Sequence, residues 1–156
     1  MGKRREGREA AIQYLYQLDL NGHRMSASAG DFWELRIAPG SGAVPQKTQI
    51  FAQEIVSGVQ EHLAEIDERI TRLAANYELN RIAAVDRNII RVAIYEMLYC
   101  PDVPPVVSIN EAIEIAKRFG SEESGRFVNG LLDRVRHELP RPARVPARRA
   151  SQAPQD

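Results

Sequence analysis

Asp86-Arg-Asn-Ile-Ile-Arg-Val-Ala-Ile-Tyr-Glu-Met-Leu-Tyr99 repeats its apolar residues at helical spacing, with Ile90, Ala93, Ile94, Met97 and Leu98 on one side. Ile89 and Val92 widen that side well past a normal amphipathic stripe. A helix apolar over more than half its circumference is buried by several neighbours, so this segment reads as the central helix of an all-helical fold. Asp86 is placed to cap its start, because a carboxylate there accepts from the first unpaired backbone N–H groups. Pro101 stops it at the other end.

Outward from this segment the same period recurs. On the N-terminal side a first helix is expected from about Arg4 to Leu20, with Ala11, Ile12, Leu15 and Leu18 as its apolar side. From Asn21 to Gln46 the period is lost among glycines and prolines, leaving a loop in which Asp31 could cap one short turn anchored by Phe32, Trp33 and Leu35. It resumes at Thr48 and runs through Ile50, Phe51, Ile55, Val59, Leu63, Ile66, Ile70 and Leu73. That length is unusual for one globular helix, so a break is expected near Leu63 to Ile66, with Gly58 and the polar run Gln60-Glu61-His62 marking a bend or a break. A connector with a short turn spans Tyr77 to Ala84.

On the C-terminal side Ser108-Ile-Asn-Glu111 has the form of a capping box, followed by the stripe Ile109, Ala112, Ile113, Ala116 and Phe119 and a stop at Gly120. The last helix is expected from Gly125 to Glu138, on Val128, Leu131, Leu132 and Val135. A Pro/Ala/Arg-rich tail over 138–156 has the composition of a disordered segment. The architecture is therefore all-α, a bundle of about seven helices with no strand.

Of 156 residues, 21 are Lys or Arg and 21 Asp or Glu, a balance that conceals a basic start. Lys3, Arg4, Arg5 and Arg8 crowd the first helix. Counting back from Leu15 by helical steps gives Ala11, Arg8 and Arg4, so these cations continue the core-facing side beyond the first apolar contacts. Cations at a helix N-terminus oppose its dipole. They read either as a solvated start or as a contact for an external anionic partner. No apolar run is long enough to span a bilayer and no secretory signal opens the chain, so a cytoplasmic protein is expected. Cys100 is the single cysteine, which excludes an intrachain disulfide.

Catalytic and metal chemistry finds no support in the pattern. His23, His62 and His137 are scattered without the spacing of metal ligands, and no phosphate-cradling glycine loop or nucleophile elbow occurs. Glu111 with Glu114, or Glu122 with Glu123, could be paired as acid and base, yet capping, a solvated face and a helix start explain them. Neither an enzyme, a metal nor a cofactor is expected.

Three motifs in order carry a specific resemblance: Arg8-Glu-Ala-Ala-Ile-Gln-Tyr-Leu-Tyr16, Val85-Asp-Arg-Asn-Ile-Ile-Arg-Val-Ala-Ile-Tyr-Glu96, and Ile109-Asn-Glu-Ala-Ile-Glu-Ile-Ala-Lys117 with Phe127-Val-Asn-Gly-Leu-Leu-Asp133. With these the chain resembles the NusB family of bacterial transcription antitermination factors over most of residues 3 to 137. The resemblance implies two small helical subdomains, here about 3–80 and 81–137. It implies binding of boxA RNA jointly with NusE, a protein of the small ribosomal subunit, within an RNA polymerase antitermination complex. It allows a homodimer as well as a monomer.

Carried over by position, Lys3, Arg4, Arg5, Arg8, Lys117 and Phe127 become the RNA-contacting residues, with Arg118 as a further phosphate contact. Tyr16 and Asp86 become the NusE-facing ones, and Arg87 beside them could pair with an acidic residue of that partner. Phe127 falls off the centre of its helix's apolar face, where a ring can stack on an unpaired base. Glu6 and Gly7 thin the basic cluster. The competing readings are a helical protein-interaction module and an accessory RNA-binding domain of ribosomal RNA processing or methylation. The family's domain also occurs fused to a ribosomal RNA methyltransferase, but no Rossmann-type segment follows the helical part here.

Overall fold

The helix read as central is surrounded on every side. In a computed structural model, which describes residues 2–20, 45–74 and 78–139, six α-helices and one 3-10 turn occur and no strand is present among the described residues. They are α1 (Gly2–Leu20), α2 (Gln46–Glu61), α3 (Leu63–Leu73), the 3-10 turn Leu79–Arg81, α4 (Ala84–Tyr99), α5 (Pro105–Phe119) and α6 (Glu122–Glu138). Helix α4 touches all five others. The expected loop helix around Trp33 lies outside the described residues, as does the tail from Pro140 onward.

Ile89, Ile90, Ile94 and Met97 of α4 meet Leu15 of α1, Val59 of α2, Ile66 and Ile70 of α3, Ile115 of α5 and Leu131 and Leu132 of α6 in one core. Four polar side chains of α4 are buried with them: Asp86, Asn88, Arg91 and Glu96. Buried polar groups require partners, and between them these four reach α1, α3, α5 and α6. Glu96 accepts from Arg8 on α1 and Ser108 on α5. Arg91 forks onto Asp67 of α3, and Asn88 donates to Asp19 of α1. Asp86 accepts from the Ser124 hydroxyl of α6. Because Arg8 meets Glu96 while Asp19 meets Arg87, Asn88 and Arg91, α1 and α4 run antiparallel.

Several boundaries differ from the sequence reading, each for a physical reason. Asp86 is not the cap of α4: the helix begins at Ala84, and Asp86 sits in its first turn, turned to Ser124. Ser108 and Glu111 form no capping box. Pro105, whose ring fixes a helical φ, starts α5 a turn earlier, and both side chains are bonded to other helices. Helix α6 starts at Glu122, because Ser121 caps it by accepting from the Ser124 N–H at 3.1 Å. The C-terminal end is where the helix reading puts it, at Glu138, which is held by Arg69 and Arg72 of α3. The long apolar run does break at His62, in the polar run that follows Gly58, while Gly58 itself lies inside the continuous α2. A Cβ there would lie 2.1 Å from Cζ of Tyr95, so glycine lets α2 and α4 close. Ile50 and Phe119 were expected in the core and are 51% and 40% exposed, with Ile115 buried in place of the latter.

Candidate nucleic-acid interface

The cations of α1 divide into buried and exposed sets. Arg8 is 4% exposed and grips Glu96 with two bonds of 2.7 and 2.9 Å, reinforced by the Ser108 hydroxyl at 3.0 Å. Arg5 is half-buried and forks onto Glu111 of α5 with two bonds of 2.8 Å. Arg4 is exposed and lies over the Phe51 ring, 5.1 Å from its centroid. The helical side chain of Lys3 lies outside the described residues. Gly7, which interrupts the cluster, has a structural cause: a Cβ there would approach Cδ2 of Phe51 to 2.4 Å. The ring that supports Arg4 is therefore seated on a missing side chain.

Helix α5 extends the basic edge. Arg118 donates to Glu9 of α1 at 2.9 Å and lies over the Phe119 ring. Exposed Lys117 is loosely paired with Glu114 at 3.7 Å, and its stem runs along Gly125 of α6. Two residues beyond that glycine, half-buried Phe127 forms one wall of a cavity of about 200 Å³, also lined by Arg81, Ile82, Asp86, Ser121 and Ser124. Burial raises the Asp86 carboxyl, and the Ser124 hydroxyl opposes that shift. A desolvated carboxyl on one wall and an aromatic ring on another make the cavity polar on one side and apolar on the other.

Of the three residues assigned to a protein partner, Asp86 lines this cavity and Arg87 is bonded to the turn beside it. Half-buried Tyr16 stands one turn before Asp19, whose carboxylate accepts from Arg87 at 2.9 Å. Arg87 also donates to the carbonyls of Leu79 and Ile82, fixing the 3-10 turn that borders the cavity. The arginine-rich start and the Phe127 cavity thus stand at opposite ends of α4, about 15 Å apart along its axis. The last turn of α5, carrying Lys117 and Arg118, links them. Sequence reasoning missed Arg81, Ser124 and Phe51, which carry no signal until distant elements are brought together.

The same ion pairs give the fold a pH dependence of definite sign. Its bond from Arg5 holds the Glu111 carboxyl below the usual range, against burial. Burial pushes Asp19 up, but the Arg87 bond and the charges of Arg91 and Arg87 outweigh it and leave it lowered. Both groups bind a proton more readily in the unfolded chain, so their stabilisation is complete above about pH 4.5 and is lost as pH falls through the lowered folded values. Asp86, raised, contributes oppositely and loses stability as pH rises. The urea midpoint is expected to fall on acidification below about pH 4. Glu111→Gln should flatten part of that fall, and an unchanged acid profile in this variant would contradict the assignment.

An all-helical body whose edge gathers exposed cations, a half-buried ring and a polar cavity has the make-up of a nucleic-acid-binding fold; no described helix is long and apolar enough to cross a bilayer. Residues 5–137 match the sequence pattern of the NusB family. The transcription antitermination protein NusB of Myxococcus xanthus is 46% identical over 142 residues, covering 91% of this chain and 100% of the relative. A NusB structure from T. maritima is 38% identical with a TM-score of 0.73, covering 86% of this chain and 91% of that one. A crystal structure of antitermination factors NusB and NusE with double-stranded RNA shares the fold, at 24% identity and a TM-score of 0.72 over 89% of this chain and 99% of that one. The chain belongs to the NusB family.

Proposed function

We propose that this protein is a cytoplasmic, non-catalytic transcription antitermination factor. It binds boxA RNA together with NusE and promotes processive transcription of ribosomal RNA operons within an RNA polymerase antitermination complex. The observation that carries this reading is the match along the whole length of the Myxococcus xanthus antitermination protein. The NusB–NusE–RNA structure of the same fold supports the choice of partners. Arg4, Lys117 and Arg118, with Lys3, contact phosphates; Arg5 does so while still tied to Glu111. Phe127 stacks on an unpaired base at the cavity mouth. Tyr16, Asp86 and Arg87 face NusE. Arg8 acts by fixing α1 in place, its guanidinium being committed to Glu96.

Titration of boxA RNA at several salt concentrations, with and without NusE, tests this assignment. Each phosphate contact to single-stranded RNA contributes about 0.7 to the salt slope. Arg4→Ala with Lys117→Ala should therefore lower the slope by ~1.4 and the affinity roughly tenfold. Affinity that responds neither to salt nor to these substitutions would favour a protein-interaction module instead. Phe127→Leu keeps an apolar group against the core but removes the ring, and should weaken binding by about 1–3 kcal/mol with little change in unfolding. Equal affinity of Phe127→Leu and the parent chain would remove Phe127 from the interface.

A further inference from the structure

A second surface, on the α2–α3 side of the molecule, takes no part in the RNA edge. At the break between these helices the His62 ring stacks on Tyr99 of α4, with centroids 3.9 Å apart and planes 15° apart. Tyr95 lies tilted beside Tyr99 at 5.8 Å. Tyr99 is 37% exposed, and its hydroxyl donates to Glu65. The bond to Glu65 raises the Tyr99 phenol, with burial and Glu61 adding to it and Arg69 opposing. Burial raises Tyr95, with Cys100, Glu54 and Glu61 adding to it. The rings are thus rimmed by the exposed carboxylates of Glu54, Glu61 and Glu65. Arg69, the cation acting on Tyr99, is committed to Glu138 at 2.7 Å. A partly exposed ring pair, Tyr99 open to solvent and His62 half-buried, inside a carboxylate rim fits an arginine-bearing partner, through stacking on the rings and pairing with the rim.

The course of α6 points to which partner. Arg134 donates to the Leu73 carbonyl at the end of α3, and Glu138, one turn later, bonds Arg69 and Arg72. Helix α6 therefore runs antiparallel to α3, towards Glu65 and His62. Leu139 caps α6 in extended conformation, φ −77° and ψ 144°, and packs against the core, so the described chain ends on this side of the molecule. From Arg69 to His62 is about 10 Å along α3, which three or four extended residues cover. The residues that follow are Pro140 to Asp156, with Arg141, Arg144, Arg148 and Arg149 against the single acid Asp156.

We propose that the arginine-bearing segment Arg141 to Arg149 docks on the surface formed by the His62–Tyr99 ring pair and the carboxylates of Glu54, Glu61 and Glu65. Its cations are thereby held apart from the RNA edge at Arg4 and Lys117. The proposal does not depend on the assignment of boxA RNA.

Paramagnetic relaxation in the full-length chain tests it. Cys100→Ser retains a hydrogen-bonding group beside Tyr95, and Ser151→Cys then accepts a nitroxide at the end of the basic segment. Signals of His62, Glu65 and Tyr99 should lose at least half their intensity at low salt. They should recover at about 0.5 M salt, where the screening length is a few ångströms. They should also recover when Arg141, Arg144, Arg148 and Arg149 are all changed to Ala, a variant that leaves the described fold untouched. Full intensity at low salt would overturn the proposal. So would broadening centred on Arg4, Lys117 and Phe127, which would place the segment at the RNA edge instead.

Discussion

Arg8→Ala should lose about 3–5 kcal/mol of stability, the cost of leaving one member of a buried ion pair without its partner. Glu96 would remain buried among α1, α4 and α5, with the Ser108 hydroxyl as its remaining bonded neighbour of those described above. For a chain of this size the loss lowers Tm by roughly 6–20 °C. Replacing both partners by apolar residues of similar volume, Arg8→Met with Glu96→Leu, should recover most of that loss, because neither charge then has to be desolvated. Ser108 can turn its hydroxyl back to the carbonyl one turn earlier, so the double variant leaves no obligatory orphan. The pair of variants separates two roles that a single alanine confuses. If Arg8 serves by holding α1, the double variant should bind boxA RNA within about threefold of the parent chain, a difference below 1 kcal/mol. A stable double variant with the RNA defect of Arg4→Ala plus Lys117→Ala would make Arg8 a direct phosphate contact.

Arg8 also shows where sequence reading stops. The apolar period of α4, the first helix, the break near Leu63 and the short turn before Ala84 are all local signals, and the structure contains each of them. A run of arginines at a chain start reads as surface, because arginine is seldom fully buried. Only the fold brings Glu96 to Arg8 and Glu111 to Arg5. The same limit explains the two misread caps. Asp86 and Ser108 have the residue type of a cap, but each is bonded across the core, and Ala83 and Pro104 stand at the helix starts. Gly7 and Gly58 have the composition of an interruption, whereas each accommodates an aromatic ring from another helix. Phe127 could be placed at the edge of its helix by counting. The cavity beside it could not, because Arg81, Asp86 and Ser124 come from three elements.

Arg91→Ala is expected to be as damaging as the loss of Arg8, for a related reason. Arg91 is 3% exposed and forks onto Asp67 with two bonds of 2.8 Å. Its Nη1 also donates to Asp19 at 3.1 Å and to the Asn88 side chain at 2.9 Å. One guanidinium therefore joins α3, α4 and α1. Its removal strips Asp67 of a bidentate partner, weakens the charge balance at Asp19 and empties the volume of a long buried stem. Asp19 keeps Arg87 and Asn88, so the unpaired charge falls mainly on Asp67. A loss of about 3–5 kcal/mol is expected, which moves the urea midpoint down by about 2 M for an m-value near 2 kcal/mol/M. Arg91→Lys should recover less than half of this, because a single ammonium cannot reproduce the planar fork on Asp67 while reaching Asp19. Arg87→Ala is the internal comparison. Its partners are a shared carboxylate and two carbonyls at the edge of the core, so it should cost about 1–2 kcal/mol. If Arg91→Ala cost no more than Arg87→Ala, or if lysine restored it fully, Arg91 would not be the joint between α3 and α1. The positions of Tyr16 and Asp86 would then be set by apolar packing together with the Arg87 and Asn88 bonds to Asp19 and the Ser124 bond to Asp86.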